Sequence, residues 1–227
     1  MGFQDVLFQS FEEHGWAISD RVILPSLTQA LYQHAHQLWQ QGFFKPASIG
    51  RKAGVVYDPD IRGDAICWLD EKSPASATTQ FLSFTNELRQ ELNRHFFLCL
   101  RDQEFHFARY EPGKGYARHV DQHRGSTARK VSLVLYLNED WEADEGGELC
   151  LYAPESDNDP DSVRATGQGE AQATADTVAT ADTVVAKVLP LAGRLAIFRS
   201  DLIPHEVLPA TRVRWSLTGW FRDVSPL

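Results

Sequence analysis

The chain is short of cysteine and of positive charge. Cys67, Cys99 and Cys150 are its only three in 227 residues. An odd, widely spaced set with no Cys-x-x-Cys pair argues against a disulfide framework and for free thiols in a reducing compartment, each expected to fill a small buried apolar site. Lys and Arg number 22 against 31 Asp and Glu, a net charge of −9, so no broad phosphate-binding surface is expected and a nucleic-acid partner is set aside. No apolar run approaches the roughly 20 residues of a membrane span. The start of the chain has no basic segment followed by an apolar stretch, so neither a secretory signal nor a membrane partner is expected, and the cytoplasm is the expected location. Apolar residues are plentiful at 43%, with six Trp and thirteen Phe. That composition argues against disorder, and the length suits one domain with a substantial core.

Leu27, Leu31, Ala35, Leu38 and Trp39 follow Pro25 at helical spacing and stop before Gly42, which predicts a helix over 26–41. His34 and His36 stand two apart on it, face different directions and read as solvated. Phe81, Phe84, Leu88, Leu92 and Phe96 predict a second helix over 78–99. From Glu104 the pattern becomes short β-rich runs, at 104–110, 116–121, 131–137, 147–152, 186–189, 193–198, 205–208 and 212–221. A mainly β fold is expected, a double-stranded β-helix (jelly roll) with N-terminal helices as scaffold. Val131 to Leu137, apolar apart from Ser132 and Tyr136, reads as a strand buried on both faces. The expected layout is a helical support over 1–103 carrying a loop at 57–70, then a strand core over 104–227. The stretch from about 154 to 186 is rich in Ala, Thr, Asp and Gly, with a near-tandem copy starting at Ala175 and Ala181. It is too polar and aperiodic for a core and is expected to be a surface insertion.

Within this pattern His119 and Asp121 stand two apart, so a strand through them turns both toward one point. His205 supplies a third donor. Two imidazoles and one carboxylate can take one face of an octahedral Fe(II) and leave the opposite face open. Nine residues further on (214 − 205) comes Arg214, whose planar fork suits a carboxylate. If the distal His ends one strand and the Arg begins the next, both enter the same barrel. Alternation then groups Arg214, Ser216, Thr218 and Trp220 as pocket lining, opposite Trp215, Leu217 and Phe221. The rival reading is a closed zinc site, because His123 continues the alternation and would complete four ligands with His119, Asp121 and His205. Such a site leaves Arg214 no anion to bind.

These residues sit in longer motifs: Tyr110-Glu-Pro-Gly-Lys-Gly-Tyr116-Ala-Arg-His119-Val-Asp121, Val134-Leu-Tyr136-Leu-Asn138 with Trp141, Asp201 to Arg214, and Thr218-Gly-Trp220. Together they resemble the 2-oxoglutarate and Fe(II)-dependent oxygenases, and among them the prolyl hydroxylase domain enzymes of the oxygen-sensing type. The resemblance runs over about residues 55 to 223 with one gap. It implies that His119, Asp121 and His205 are the catalytic iron ligands, and that Arg214 and Tyr136 hold the far carboxylate of 2-oxoglutarate. It places Tyr110 and Thr218 beside that co-substrate, with O2 as the third reactant and ascorbate as an accessory reductant. The glycine turn after Tyr110 is one residue shorter than in the animal enzymes, which shifts that contact. Asp60-Ile-Arg62-Gly-Asp64 with Trp68 resembles the family's mobile substrate loop, so Arg62, Asp64, Arg129 and Trp220 are expected on the substrate side. The implied reaction is hydroxylation of a prolyl residue in a protein, with elongation factor Tu, on which similar bacterial enzymes act, as the expected partner. Similar pockets serve other residues or small molecules, because walls and loops choose the substrate. A catalytically idle jelly roll that grips a partner is the alternative outside enzymes.

Overall fold

Alternation along one central strand organises the molecule. The computed structural model describes residues 3–48, 58, 60–70, 75–122, 128–154 and 183–224. In chain order the elements are α1 (Phe3–His14), β1 (Trp16–Ser19), α2 (Pro25–Gln40), β2 (Lys45–Pro46), β3 (Asp64–Trp68), α3 (Ser76–Phe96), β4 (Asp102–Tyr110), β5 (Tyr116–His119), β6 (Arg129–Tyr136), β7 (Leu149–Tyr152), β8 (Val184–Val188), β9 (Leu195–Arg199), β10 (His205–Val207) and β11 (Arg214–Arg222). Antiparallel pairing builds a seven-stranded sheet in the order β1-β9-β6-β11-β4-β3-β2 and a four-stranded sheet in the order β5-β10-β7-β8. This is the expected jelly roll, with β6 in its interior.

On β6, Val131, Leu133 and Leu135 belong to the core between the large sheet and the helices, while Val134 and Tyr136 belong to the core between the sheets. The helical side joins Leu7, Phe8 and Phe11 of α1, Leu31 and Ala35 of α2, and Phe81, Leu88 and Leu92 of α3 to Phe107, Trp215, Leu217 and Phe221 of the sheet. Each such side chain contributes about 1.5–3 kcal/mol on full burial. Stability therefore resides largely on the helical face, which frees the opposite face of the same strands for polar residues.

Several expectations need correction. The second helix stops at Phe96, because Phe97 turns left-handed (φ 52°) and Asn93 caps the exit by bonding Leu100 through both its side-chain amide groups, at 2.9 and 2.7 Å. Cys99 is thereby exposed and Cys67 is half-buried, so of the three cysteines Cys150 alone is buried. His34 and His36 are half-buried, against Phe107 and Trp215 respectively, because α2 lies flat on the sheet and its buried stripe is broad. The N-terminal region also supplies α1 and strands to both flanks of the large sheet. Part of the expected 57–70 loop is β3, in register with β4 from Asp64↔Tyr110 to Trp68↔His106. Residues 155–182 of the expected insertion, and His123, lie outside the described residues. Among the described residues no helix is long and apolar enough to cross a membrane.

Candidate active site

Adjacent strands of the small sheet place the two histidines, with His119 at the end of β5 in register with His205 at the start of β10. The distal His thus opens a strand instead of ending one. Asp121 lies just beyond β5, so its carboxylate arrives through the turn after the strand and not through in-strand alternation. His119 Nε2 is 3.5 Å from Asp121 Oδ1, His205 Nε2 is 3.6 Å from Asp121 Oδ2, and one ligand atom from each residue falls within 4.8 Å of the others. Each Nδ1 faces a carbonyl, that of Ala117 at 2.8 Å and that of Ile203 at 3.0 Å. A carbonyl only accepts, so each Nδ1–H donates to its carbonyl and each Nε2 is left facing the carboxylate. Burial, reinforced by His119, pushes the His205 pKa down to about 4. Burial works against ionisation of Asp121, but His205, His119 and the Ser132 hydroxyl outweigh it and hold its carboxyl well below the ordinary range. A carboxylate with two imidazole nitrogens within 3.6 Å of it fits a cation.

Ser132 Oγ donates to Asp121 Oδ2 at 2.6 Å and lies 2.8 Å from Ser200 Oγ. Partners of this kind orient a metal ligand. Ser132→Ala is expected to weaken Fe(II) binding by about tenfold or more, read by competition titration against a metal indicator. An unchanged affinity would show that Asp121 is held without it.

Arg214 opens β11, lines the same cavity and is 2% exposed. Its Nε donates to the Gly147 carbonyl at 2.8 Å, and its Cζ lies 5.0 Å from the Tyr136 ring and 5.2 Å from the Tyr110 ring. Among the described residues no carboxylate pairs with it. An uncompensated buried charge is costly, so the position calls for an anion. The Tyr136 hydroxyl is buried without a partner, and burial pushes its pKa up to about 12, leaving a protonated donor. Tyr110, opposite Arg214 in register, has its phenol pushed up by burial as well, and Thr218 lines the cavity with its hydroxyl 3.4 Å from that of Ser216. Val134, Leu149 and Phe198 supply apolar walls. A metal-binding end, a cationic end and apolar walls between them fit 2-oxoglutarate, which has an anionic group at each end.

Residues 105–222 match the 2OG-Fe(II) oxygenase superfamily. The chain belongs to that superfamily. Fe(II) is the metal of these oxygenases, and 2-oxoglutarate and O2 are their co-substrates. The chain is 35% identical to a Pseudomonas putida prolyl-4-hydroxylase of known structure, over 97% of this chain and 99% of that one, with a TM-score of 0.77. A Trichoplax adhaerens prolyl hydroxylase, solved with a peptide fragment of the hypoxia inducible factor oxygen degradation domain, is 28% identical over 96% of this chain and 88% of its own, with a TM-score of 0.75. A Caenorhabditis elegans hypoxia-inducible factor prolyl hydroxylase is 27% identical over 96% of this chain and 28% of its own length. The oxygenase thus spans well under half of that curated relative.

At the mouth of the oxygenase cavity, Arg62 makes a two-pronged pair with Asp64, at 2.8 and 3.1 Å. Asp64 is buried, lines the cavity and holds Arg62 in place. Arg62 stands over the Tyr116 ring at 4.9 Å, and that ring stacks on His119 at 3.7 Å and 19°. Arg129 bonds Glu104 at 3.1 Å through two nitrogens and lies 3.3 Å above Trp220. Trp220 itself is buried, while Trp68, beside His106, is 50% exposed. Sequence reasoning assigned no role to His106, Tyr116, Ser132 or Ser200. Alternation does group His106 with Tyr110, and Ser132 with Tyr136. No local signal marks Ser200, or the stacking of Tyr116 on an iron ligand.

Proposed function

We propose that this oxygenase hydroxylates a prolyl residue within a protein, and that elongation factor Tu in the cytoplasm is its substrate. The observation that carries the reading is the unpaired, buried Arg214 in one cavity with the His119, Asp121 and His205 triad. Among the described residues three arginines line that cavity; Arg62 is matched by Asp64 and Arg129 by Glu104, so Arg214 is left for an added anion. One co-substrate carboxylate accounts for it, and an uncharged target suits the remainder better than a free amino acid with its own carboxylate. When bound, iron and 2-oxoglutarate supply the oxidation of a substrate C–H bond by O2, with succinate and CO2 as co-products. His119, Asp121 and His205 hold the metal by one face, Arg214 and Tyr136 anchor the co-substrate, and the Arg62 and Arg129 walls with Trp220 and Trp68 receive the peptide. The prolyl hydroxylase relatives support proline as the target, and the resemblance to bacterial enzymes of this type supports the partner.

The test is mass spectrometry. Purified elongation factor Tu, incubated with the oxygenase, Fe(II), 2-oxoglutarate, ascorbate and O2, should gain one oxygen atom, located by fragmentation on a proline. Oxygen on a different residue, or on another lysate protein or a metabolite, would keep the iron chemistry and overturn the substrate. An absence of any iron-dependent product would overturn the enzyme reading in favour of a binding protein.

A further inference from the structure

His106 is a histidine for which the iron site has no use. It sits on β4 opposite Thr218 of β11, is 2% exposed, and lines the same cavity as the triad and Arg214. Its ring is wedged between Trp68, at 4.9 Å, and Trp220, at 5.5 Å. Its Nδ1 is buried with no hydrogen-bond partner. Burial, and then the positive charge of Arg62, drives its pKa down to about 3, so the ring stays neutral and offers one N–H. A buried polar atom left unpaired costs about 1–3 kcal/mol. Such a group in a cavity points to a ligand that completes it.

Among the described residues, most other polar groups along this wall are already engaged. Ser132 bonds Asp121, Ser216 and Thr218 face each other, Arg62 is held by Asp64 and Arg129 by Glu104. Trp220 Nε1 is also unpartnered, but its ring lies under Arg129 at the mouth. His106 lies two residue pairs along the β4–β11 register from the Trp220↔Glu104 pair and four from the Arg214↔Tyr110 pair, between the two. 2-Oxoglutarate has two carboxylates; Arg214 and Tyr136 would hold one, and the other, at the metal end, would have an oxygen left off the metal. The second oxygen of that carboxylate needs a donor in a water-poor site. We infer that His106 donates a hydrogen bond to the carboxylate at the metal end of 2-oxoglutarate, making it a co-substrate-binding residue of this oxygenase. This rests on the proposed placement of the far carboxylate at Arg214.

Anaerobic titration of the Fe(II)-loaded protein with 2-oxoglutarate, followed through the visible charge-transfer absorption of the chelate, tests this without turnover. His106→Phe keeps a ring and removes the donor; it is expected to weaken 2-oxoglutarate binding by about 10- to 100-fold, as for a hydrogen bond to a charged group. His106→Gln retains an N–H donor and should recover most of the loss, with Fe(II) affinity unchanged in both. Should the Phe variant fail to fold, His106→Met makes the same comparison. Wild-type affinity in the donor-less variant, or equal loss in the Phe and Gln variants, would overturn the role of His106. If the wild-type protein shows no absorption change with 2-oxoglutarate, the co-substrate reading itself fails.

Discussion

His205→Ala is expected to abolish Fe(II)-dependent turnover and stoichiometric iron binding. Three side chains hold the ion, and their donor atoms converge within 4.8 Å because β5 and β10 are paired at His119 and His205. Removing a mere outer partner of a ligand costs about 10- to 100-fold in metal affinity, and removal of a ligand itself should exceed that. His119→Ala and Asp121→Ala should behave alike. Asp121→Ala also leaves the Ser132 hydroxyl, itself bonded to that of Ser200, without the carboxylate it donates to. Metal content after dialysis against Fe(II), and succinate release, are the measurements. A variant with full iron occupancy and a near wild-type rate would remove that residue from the metal site.

Arg214→Ala should weaken 2-oxoglutarate binding by about 30-fold to several thousand-fold, since truncating one side of a buried charge pair costs on the order of 2–5 kcal/mol. The anion would lose a fork that Gly147 and the Tyr136 and Tyr110 rings hold in place. Arg214→Lys keeps the charge and loses the two-pronged geometry, so it should restore affinity only in part. Fe(II) binding should persist in both variants, because no triad member bonds Arg214. An unchanged 2-oxoglutarate affinity in Arg214→Ala would assign the carboxylate to another residue.

Much of this site was legible before the fold. Alternation on β11 correctly put Arg214, Ser216, Thr218 and Trp220 in the cavity and Trp215, Leu217 and Phe221 among the helices. Strand side chains have a period of two, and one buried face for each set leaves no other register. The strand Asp64–Trp68 was not legible. Its sequence, Asp-Ala-Ile-Cys-Trp, mixes a charge and small residues, and it becomes a strand through its pairing with β4. The same pairing buries Asp64 against Arg62 in an ion pair that local spacing does not reveal. Cys99 was misread because the helix periodicity carries no sign of the left-handed turn at Phe97 that ends it.

By itself the sequence determined the strand and helix periods, the donor chemistry of His119, Asp121 and His205, and the presence of an arginine fork on the strand that follows the distal histidine. Those are properties of residue type and local spacing, set by backbone geometry alone. Only the tertiary structure decided that Asp121 reaches the metal position from a turn, that Ser132 and Ser200 brace it, and that Arg62 and Arg129 are matched while Arg214 is not. It also decided that His106 lies buried with an unpaired nitrogen. Whether a charge is paired or a polar atom is satisfied depends on neighbours brought from distant points in the chain, as Ser200 is to Ser132, and local spacing carries no information about them.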